Sequence, residues 1–157
     1  MLHIGVQTSD FNVQQEYDAL CDANTEDGAI VFFVGRVRDL NEGEAVKQLS
    51  LEHYPGMTEK ALTQVVEQAR ERWPLHRVRV IHRVGDLSPA DQIVFVGVSS
   101  PHRQAAFDGA AFIMDYLKTQ APFWKKERSD QGERWLDARD SDRASQERWQ
   151  SDSESHS

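Results

Sequence analysis

Cysteine is almost missing from this 157-residue chain, where Cys21 stands alone. One thiol excludes an internal disulfide framework and any zinc site built on several cysteines of the same chain. Long apolar runs are missing as well. No uninterrupted stretch approaches the ~20 residues that a membrane span needs. The start, Met1 to Gly5, has neither the basic opening nor the apolar stretch of a secretory signal. The expectation is a soluble, cytoplasmic protein that does not engage a membrane. Positive charge is in deficit, with 18 Lys+Arg against 26 Asp+Glu and a formal net charge of −8. A general nucleic-acid binder needs a basic face to displace counterions, so that class is disfavoured. There is no P-loop, no G-x-G-x-x-G and no G-x-S-x-G. Six histidines are present, but His53, His76, His82 and His102 fall on different elements, without an H-x-x-x-H pair or carboxylates at ligand spacing. No metal site is expected from them. Cys21 has no cationic neighbour in sequence and borders an apolar helical stripe, so it reads as an inert thiol.

What is present suffices for one compact domain. Apolar residues make up 39%, and nine glycines bring the total near the ordinary globular level. Residues 137–157 differ: six acids against three arginines give −3, and Ala138, Ala144 and Trp149 are the apolar residues. A segment of that kind buries too little surface to offset its ordering entropy. The expected organisation is a domain over 1–149 and a disordered Ser/Asp-rich tail over 150–157.

Asn12 with Gln15 three residues on forms a capping pair, and Val13, Tyr17 and Leu20 follow at helical spacing, predicting a helix over 12–22. The apolar run from Gly28 to Gly35 reads as a buried strand leading into Arg36 and Arg38. Residues 39–44 have loop composition, and Val46, Leu49 and Leu51 suggest a strand ending at Tyr54. A helix over 58–73 carries Ala61, Leu62, Val65, Val66 and Ala69 as its stripe, and Pro74 stops it. Val78, Val80 and Val84 alternate with arginines as a half-buried strand. After a turn at 87–91, the run 93–98 is a second, central one. Ser100 and Pro101 predict the cap and first turn of a third helix, whose stripe is Ala106, Phe107, Ala110, Ile113, Met114 and Leu117. Residues 123–128 and 133–136 read as a β-hairpin. The order β-α-β-β-α-β-β-α-β-β is an α+β pattern with antiparallel pairs.

The chemistry resides in the cations. The segment 118–128, KTQAPFWKKER, holds four of them against one acid on an otherwise acidic protein. Arg36 and Arg38 leave a strand, and Lys118, Lys125 and Lys126 bracket Pro122. His102 and Arg103 sit where a helix begins, so unpaired N–H groups and the positive dipole end would complete an anion site there. An anion-binding pocket and a set of unrelated surface cations are both compatible with spacing alone.

Three runs then carry a resemblance: LEHYPGMTEKAL (51–62), RVGDLSPADQIVFVGVSSPHRQAAF (83–107) and above all FIMDYLKTQAPFWKKE (112–127). With the element Phe33 to Arg38 (FVGRVR), they make the chain, from about residue 5 to 149, closely similar to the large, catalytic subunits of molybdopterin synthases. The Ser/Asp-rich end beyond Trp149 departs from that pattern. The resemblance implies an α/β-hammerhead-like α+β fold with antiparallel sheets, three main helices and the C-terminal β-hairpin. It implies conversion of cyclic pyranopterin monophosphate to molybdopterin by insertion of two dithiolene sulfurs. The sulfur would come from a thiocarboxylate on the C-terminal Gly-Gly of a ubiquitin-like small subunit, with no metal or cofactor of the chain's own. A homodimer within a heterotetramer is implied, with one small subunit at each end. The family's essential lysines fall on Lys118 and Lys125, and its substrate-contacting cations on Arg36, Arg38, His102, Arg103 and Lys126. Val37 and Glu127 lie within the same stretches.

Elementary chemistry agrees with this assignment. A phosphate and a thiocarboxylate repel one another unless fixed cations stand where they meet, in a site of low effective dielectric. A guanidinium fork suits the phosphate, and a lysine crowded by cations suits proton transfer. Lys118 is assigned proton transfer or carbonyl positioning, and Lys125 stabilisation of the thiocarboxylate or developing oxyanion. Geometry adds a constraint. His102 and Lys118 are sixteen residues apart on one expected helix, about 24 Å at 1.5 Å per residue. A small pterin cannot span that rod, so the pocket is expected to be shared between protomers, unless the helix breaks near Asp108 and Gly109. Phe33, Met114, Phe123 and Trp124 are candidates for an apolar partner surface, with core packing as the alternative. The rival function is a non-catalytic scaffold that binds a ubiquitin-like sulfur carrier.

Overall fold

The computed structural model describes residues 1–38, 40–41, 44–121, 123–129, 132–136 and 149. Side chains are described for all of these except 40, 41, 44–48, 124–129 and 132–136. Nine strands and three helices follow one another among them. In chain order they are β1 (Leu2–Gln7), α1 (Val13–Cys21), β2 (Ala29–Arg36), β3 (Leu40–Asn41), β4 (Glu44–His53) and α2 (Met57–Arg72). Then come β5 (Arg77–Arg83), β6 (Gly85–Leu87), β7 (Gln92–Ser100), α3 (Arg103–Gln120), β8 (Phe123–Ser129) and β9 (Gly132–Leu136). The α+β reading holds, and the C-terminal hairpin is present as β8 paired with β9.

One sheet has the order β1-β5-β7-β2. β7 is an interior strand, as its apolar run requires. Its odd and even positions serve two faces. Val94, Val96 and Val98 meet Leu62, Val65, Val66 and Ala69 of α2 and Ala106, Ala110, Ile113 and Leu117 of α3. Phe95 meets Leu20 of α1 and Phe11 on the opposite face. The second sheet has the order β3-β4-β8-β9, with β6 also on β4. Val37, Leu49 and Leu87 form a small core, with Ile93 packed against it.

Several local expectations are corrected. The first sheet is mixed, because β1 pairs β5 in parallel, from Leu2↔Val78 to Gln7↔Arg83. Parallel pairing needs a long crossover, and the α1, β2 to β4 and α2 segments supply it. Two short strands are additional: β3 lies within the stretch read as a loop, and β6 precedes the expected turn, sharing Leu87 with it. Ser100 does not cap α3. β7 continues through it, His102 is the N-cap in extended conformation, and Ser100 Oγ instead accepts from His102 N at 3.3 Å. Pro101 therefore precedes the helix and is not part of its first turn. α3 is unbroken at Asp108 and Gly109. Phe107 is 58% exposed and does not belong to the buried stripe. The cap of α1 is as expected, with Asn12 Oδ1 accepting from Gln15 N at 3.0 Å.

Trp149 is buried. Its ring meets Trp73 and Phe112 edge-on at 5.6 and 5.7 Å, Arg72 lies over all three rings, and its indole N–H donates to Asp115. The expected tail, 150–157, lies outside the described residues.

Candidate active site

The antiparallel register of β2 on β7 fixes where the cations stand. Ala29 pairs with Ser100 at one end of the layer, and Arg36 pairs with Gln92 at the other. The eight residues of β2 span about 26 Å. α3 leaves the Ser100 end, packs back along β7 and β2, and reaches the Arg36 end with Lys118. Phe123 confirms that placement. Its ring stacks on His82 at 3.9 Å, and His82 pairs with Val94, next to the Arg36 end.

Two cationic groups result. Arg36, Arg38 and Lys118 are exposed at one end. A bulge between Gly35 and Arg36 re-aims the strand there, and Arg36 Nε donates to Ala90 O at 3.2 Å. β8 starts at the same end and carries Lys125, Lys126 and Glu127 in register with Leu51, Ser50 and Leu49 of β4. The side chains of those three residues, and of Trp124, lie outside the described ones. His102 and Arg103, both exposed, occupy the opposite end at the amino terminus of α3. One protomer therefore does not bring all the anticipated residues together. With α3 unbroken, the His102–Lys118 separation stays at about 24 Å.

Val37 stands apart from the other anticipated residues. Its side chain packs in the small core with Leu49 and Leu87. Its N–H donates to Asp91 O at 2.9 Å and its carbonyl accepts from Ala90 N at 2.8 Å. Both backbone groups and the side chain are engaged within the protein, so Val37 holds the loop that presents Arg36 and Arg38.

α3 has a further feature that residue type alone conceals. Its buried face comprises Ala105, Ala106, Gly109, Ala110, Phe112, Ile113, Tyr116 and Leu117. Arg103, Phe107, Ala111, Met114 and Lys118 fall on another face at spacings of four, four, three and four, so they form one strip. Arg103, Phe107 and Lys118 are exposed, and Ala111 and Met114 are half-buried, packed in part against the main core. The strip thus runs from cation to cation across an apolar middle. Phe33, on the neighbouring edge strand β2, is also 44% exposed. Of the proposed apolar surface residues, Phe33 is available, Met114 is half-buried against the main core, and Phe123 is committed to its stack on His82.

Sequence reasoning passed over a polar cluster beside His102. Asp27, two residues before β2, has a fully buried side chain and meets Ser99, Asn24 and His76. Burial pushes its carboxyl up. Hydrogen bonds from Asn24 and Ser99, with the charge of His76, outweigh that and hold it below the usual carboxylate value. Asn24 is a neighbour in the same loop, but Ser99 and His76 come from two remote segments, so the sequence does not mark this residue as buried. Among the described residues there is no cluster of three or more His, Cys, Asp or Glu side chains placed to hold a metal ion. No helix there is long and apolar enough to cross a membrane.

Comparison with known proteins is consistent across sequence and structure. The family model described as MoaE protein matches residues 6–120. A molybdopterin synthase catalytic subunit from Vibrio cholerae is 59% identical, the match covering 94% of this chain and 97% of the relative. A solved molybdopterin biosynthesis MoaE protein from Burkholderia ambifaria superposes with a TM-score of 0.82 at 52% identity, covering 95% of this chain and 98% of that one. The fold also recurs, at 18% identity and a TM-score of 0.69, in a Helicobacter pylori structure of a complex of subunits 1 and 2 of molybdopterin-converting factor. That match covers 88% of this chain and 91% of the other. Family model, high identity over nearly the full length of both chains, and shared architecture lead to one conclusion: the chain belongs to the MoaE family, the catalytic subunits of molybdopterin synthase.

Proposed function

We propose that this chain converts cyclic pyranopterin monophosphate to molybdopterin in the cytoplasm. It inserts two dithiolene sulfurs delivered as the thiocarboxylate of a ubiquitin-like small subunit ending in Gly-Gly, and it uses no cofactor of its own. Arg38, His102 and Arg103 hold the phosphate and pterin, with Arg36 and Lys126 nearby and Glu127 in the adjoining stretch. Lys118 moves a proton or positions the reacting carbonyl, and Lys125 stabilises the thiocarboxylate or the oxyanion that develops from it. The strip on α3 is the observation that carries this reading. A twofold axis through its apolar middle, close to Ala111, would lay two α3 helices antiparallel. The Arg103 end of each protomer would then stand beside the Lys118 end of the other. Each dimer would contain two such composite pockets, each made of two cationic ends that repel until an anionic substrate fills the space between them. Catalysis would require the homodimer, and a small subunit docked at each pocket would complete a heterotetramer.

The test is product formation with thiocarboxylated small subunit and cyclic pyranopterin monophosphate. Lys118→Ala and Lys125→Ala should each lower turnover by about 100-fold or more, the scale of a lost proton-transfer or charge-stabilising group. Near-normal product from both variants would overturn the proposal in favour of a scaffold that only binds the sulfur carrier. Co-refolding Lys118→Ala with Arg103→Ala should restore about a quarter of wild-type activity. Half the dimers are then mixed, and one of the two pockets in each is intact. No restoration would remove the shared pocket.

A further inference from the structure

His102 and Arg103 project from a sharp corner between β7 and α3, and that corner is pinned by a buried carboxylate two elements away. Asp27 Oδ2 accepts from Ser99 Oγ at 2.7 Å and from Asn24 Nδ2 at 2.9 Å. Oδ1 lies 2.7 Å from His76 Nδ1, off the axis of a hydrogen bond. Ser99 is itself fully buried. Its hydroxyl accepts from Arg77 N at 3.1 Å and its carbonyl from His76 N at 3.0 Å. The next residue, Ser100, is also fully buried and accepts from His102 N. Gly28, next to Asp27, lies against the Pro101 carbonyl, 3.6 Å from where a Cβ would stand. Asp27 thus ties the loop before β2, the start of β5 and the end of β7 to the residue that begins the corner.

A carboxylate suits the partners it meets there. Ser99 O–H and Asn24 N–H both donate to Oδ2, and an ionised Asp is acceptor-only. An amide that kept its oxygen at that position would turn its NH2 toward His76 Nδ1 and would lose the charge. A buried charge is costly unless it is paired and hydrogen-bonded, and this one accepts from Ser99 and Asn24 and stands beside His76. None of the three is among the anticipated site residues.

We propose that Asp27 is a positioning residue for the reaction: through Ser99 it fixes the β7–α3 corner so that His102 and Arg103 meet the anionic substrate in register. The inference rests on the proposed substrate-holding role of those two residues. It adds a residue outside the pocket on which that role depends. A displacement of about 1 Å far from the chemistry is enough to cost up to 100-fold.

The experiment is steady-state kinetics of Asp27→Asn and Ser99→Ala in the assembled enzyme. Both should raise KM for cyclic pyranopterin monophosphate and lower kcat/KM by about 10-fold or more, while affinity for the small subunit stays at the wild-type value. In a His102→Ala/Arg103→Ala background neither substitution should lower kcat/KM further, because there is no longer a corner residue to misplace. A full multiplicative loss in that background, or an equal loss of small-subunit binding, overturns the proposal. Ser99→Ala removes one hydroxyl and keeps the test decisive if Asp27→Asn folds poorly. Mixed dimers give an independent readout. Asp27→Asn should regain about a quarter of wild-type activity with Lys118→Ala and none with Arg103→Ala. The reverse pattern also overturns it. Failure of the Lys118→Ala with Arg103→Ala control removes the shared pocket, while the double-substitution kinetics still decide the role of Asp27.

Discussion

Gly109→Ala sets two effects of opposite sign against each other. Gly109 sits in the interior of α3, where alanine is favoured over glycine by about 1 kcal/mol. On propensity alone the substitution stabilises. The added Cβ, however, would lie 2.7 and 2.8 Å from the two methyl carbons of Leu75 and 3.2 Å from its Cγ. Leu75 is 2% exposed and packs within the main core, so its methyls have no empty space to enter. Its backbone is held as well, since its carbonyl accepts from Arg70 Nε and its N–H donates to Trp73 O, both at 3.0 Å. Overpacking a closed site costs about 1–3 kcal/mol, which exceeds the propensity gain. The net expectation is a loss of ~1 kcal/mol, or a Tm lower by about 2–4 °C for a chain of this size. Thermal and urea unfolding at fixed protein concentration would measure it, because the proposed dimerisation would make Tm depend on concentration. Leu75→Ala should cost about 2–5 kcal/mol alone, and the double variant should lose less than the sum. A Gly109→Ala protein as stable as the wild type, or more so, would refute the reasoning. It would also mean that Gly109 is not what lets α3 pass close over Leu75.

Phe107→Ala removes an exposed ring, so monomer stability should change by no more than ~0.5 kcal/mol. The proposed dimer should dissociate about 5-fold or more readily, since an aromatic at an interface centre is worth upward of 1 kcal/mol; unchanged sedimentation behaviour would remove the α3 strip as the contact. For Asp27 the sign follows from its lowered folded-state value. Its stabilising contribution is complete above the unfolded carboxylate value of about 3.9 and is lost as pH falls through the lower folded value. The stability gap between wild type and Asp27→Asn should therefore narrow on acidification below about pH 4, and a gap independent of pH would contradict the account. Trp149→Ala should cost about 3–5 kcal/mol by denaturant unfolding, because it deletes a buried ring held by Trp73, Phe112, Arg72 and Asp115; a loss below ~1 kcal/mol would show that this packing is not retained in solution.

What could be read in advance is what neighbouring residues decide among themselves. Asn12 and Gln15 are three apart, so their cap was visible before any fold existed. The stripe of α2 and the alternation of β5 follow from periods of 3.6 and 2. The two lysines 118 and 125 sit in a run so characteristic that it pointed to the family directly. Phe107 escaped because a helix with apolar residues on more than one side does not declare which side meets the sheet. β6 escaped because three residues beginning with a glycine carry no periodicity, and they become a strand once β4 lies alongside them. Ser100 looked like a cap by residue type, but the ladder to Ala29 keeps it in β7.

The linear chain by itself determined its helices and most of its strands, the family and the inventory of cations, since all of these depend on residue type and short spacing. Tertiary structure alone decided that β1 lies parallel to β5, that Asp27 is buried beneath the β7–α3 corner, and that the cations divide between two ends of one unbroken helix. Each of these is a meeting of segments remote in sequence, governed by which faces bury together and which donors a hidden carboxylate can reach.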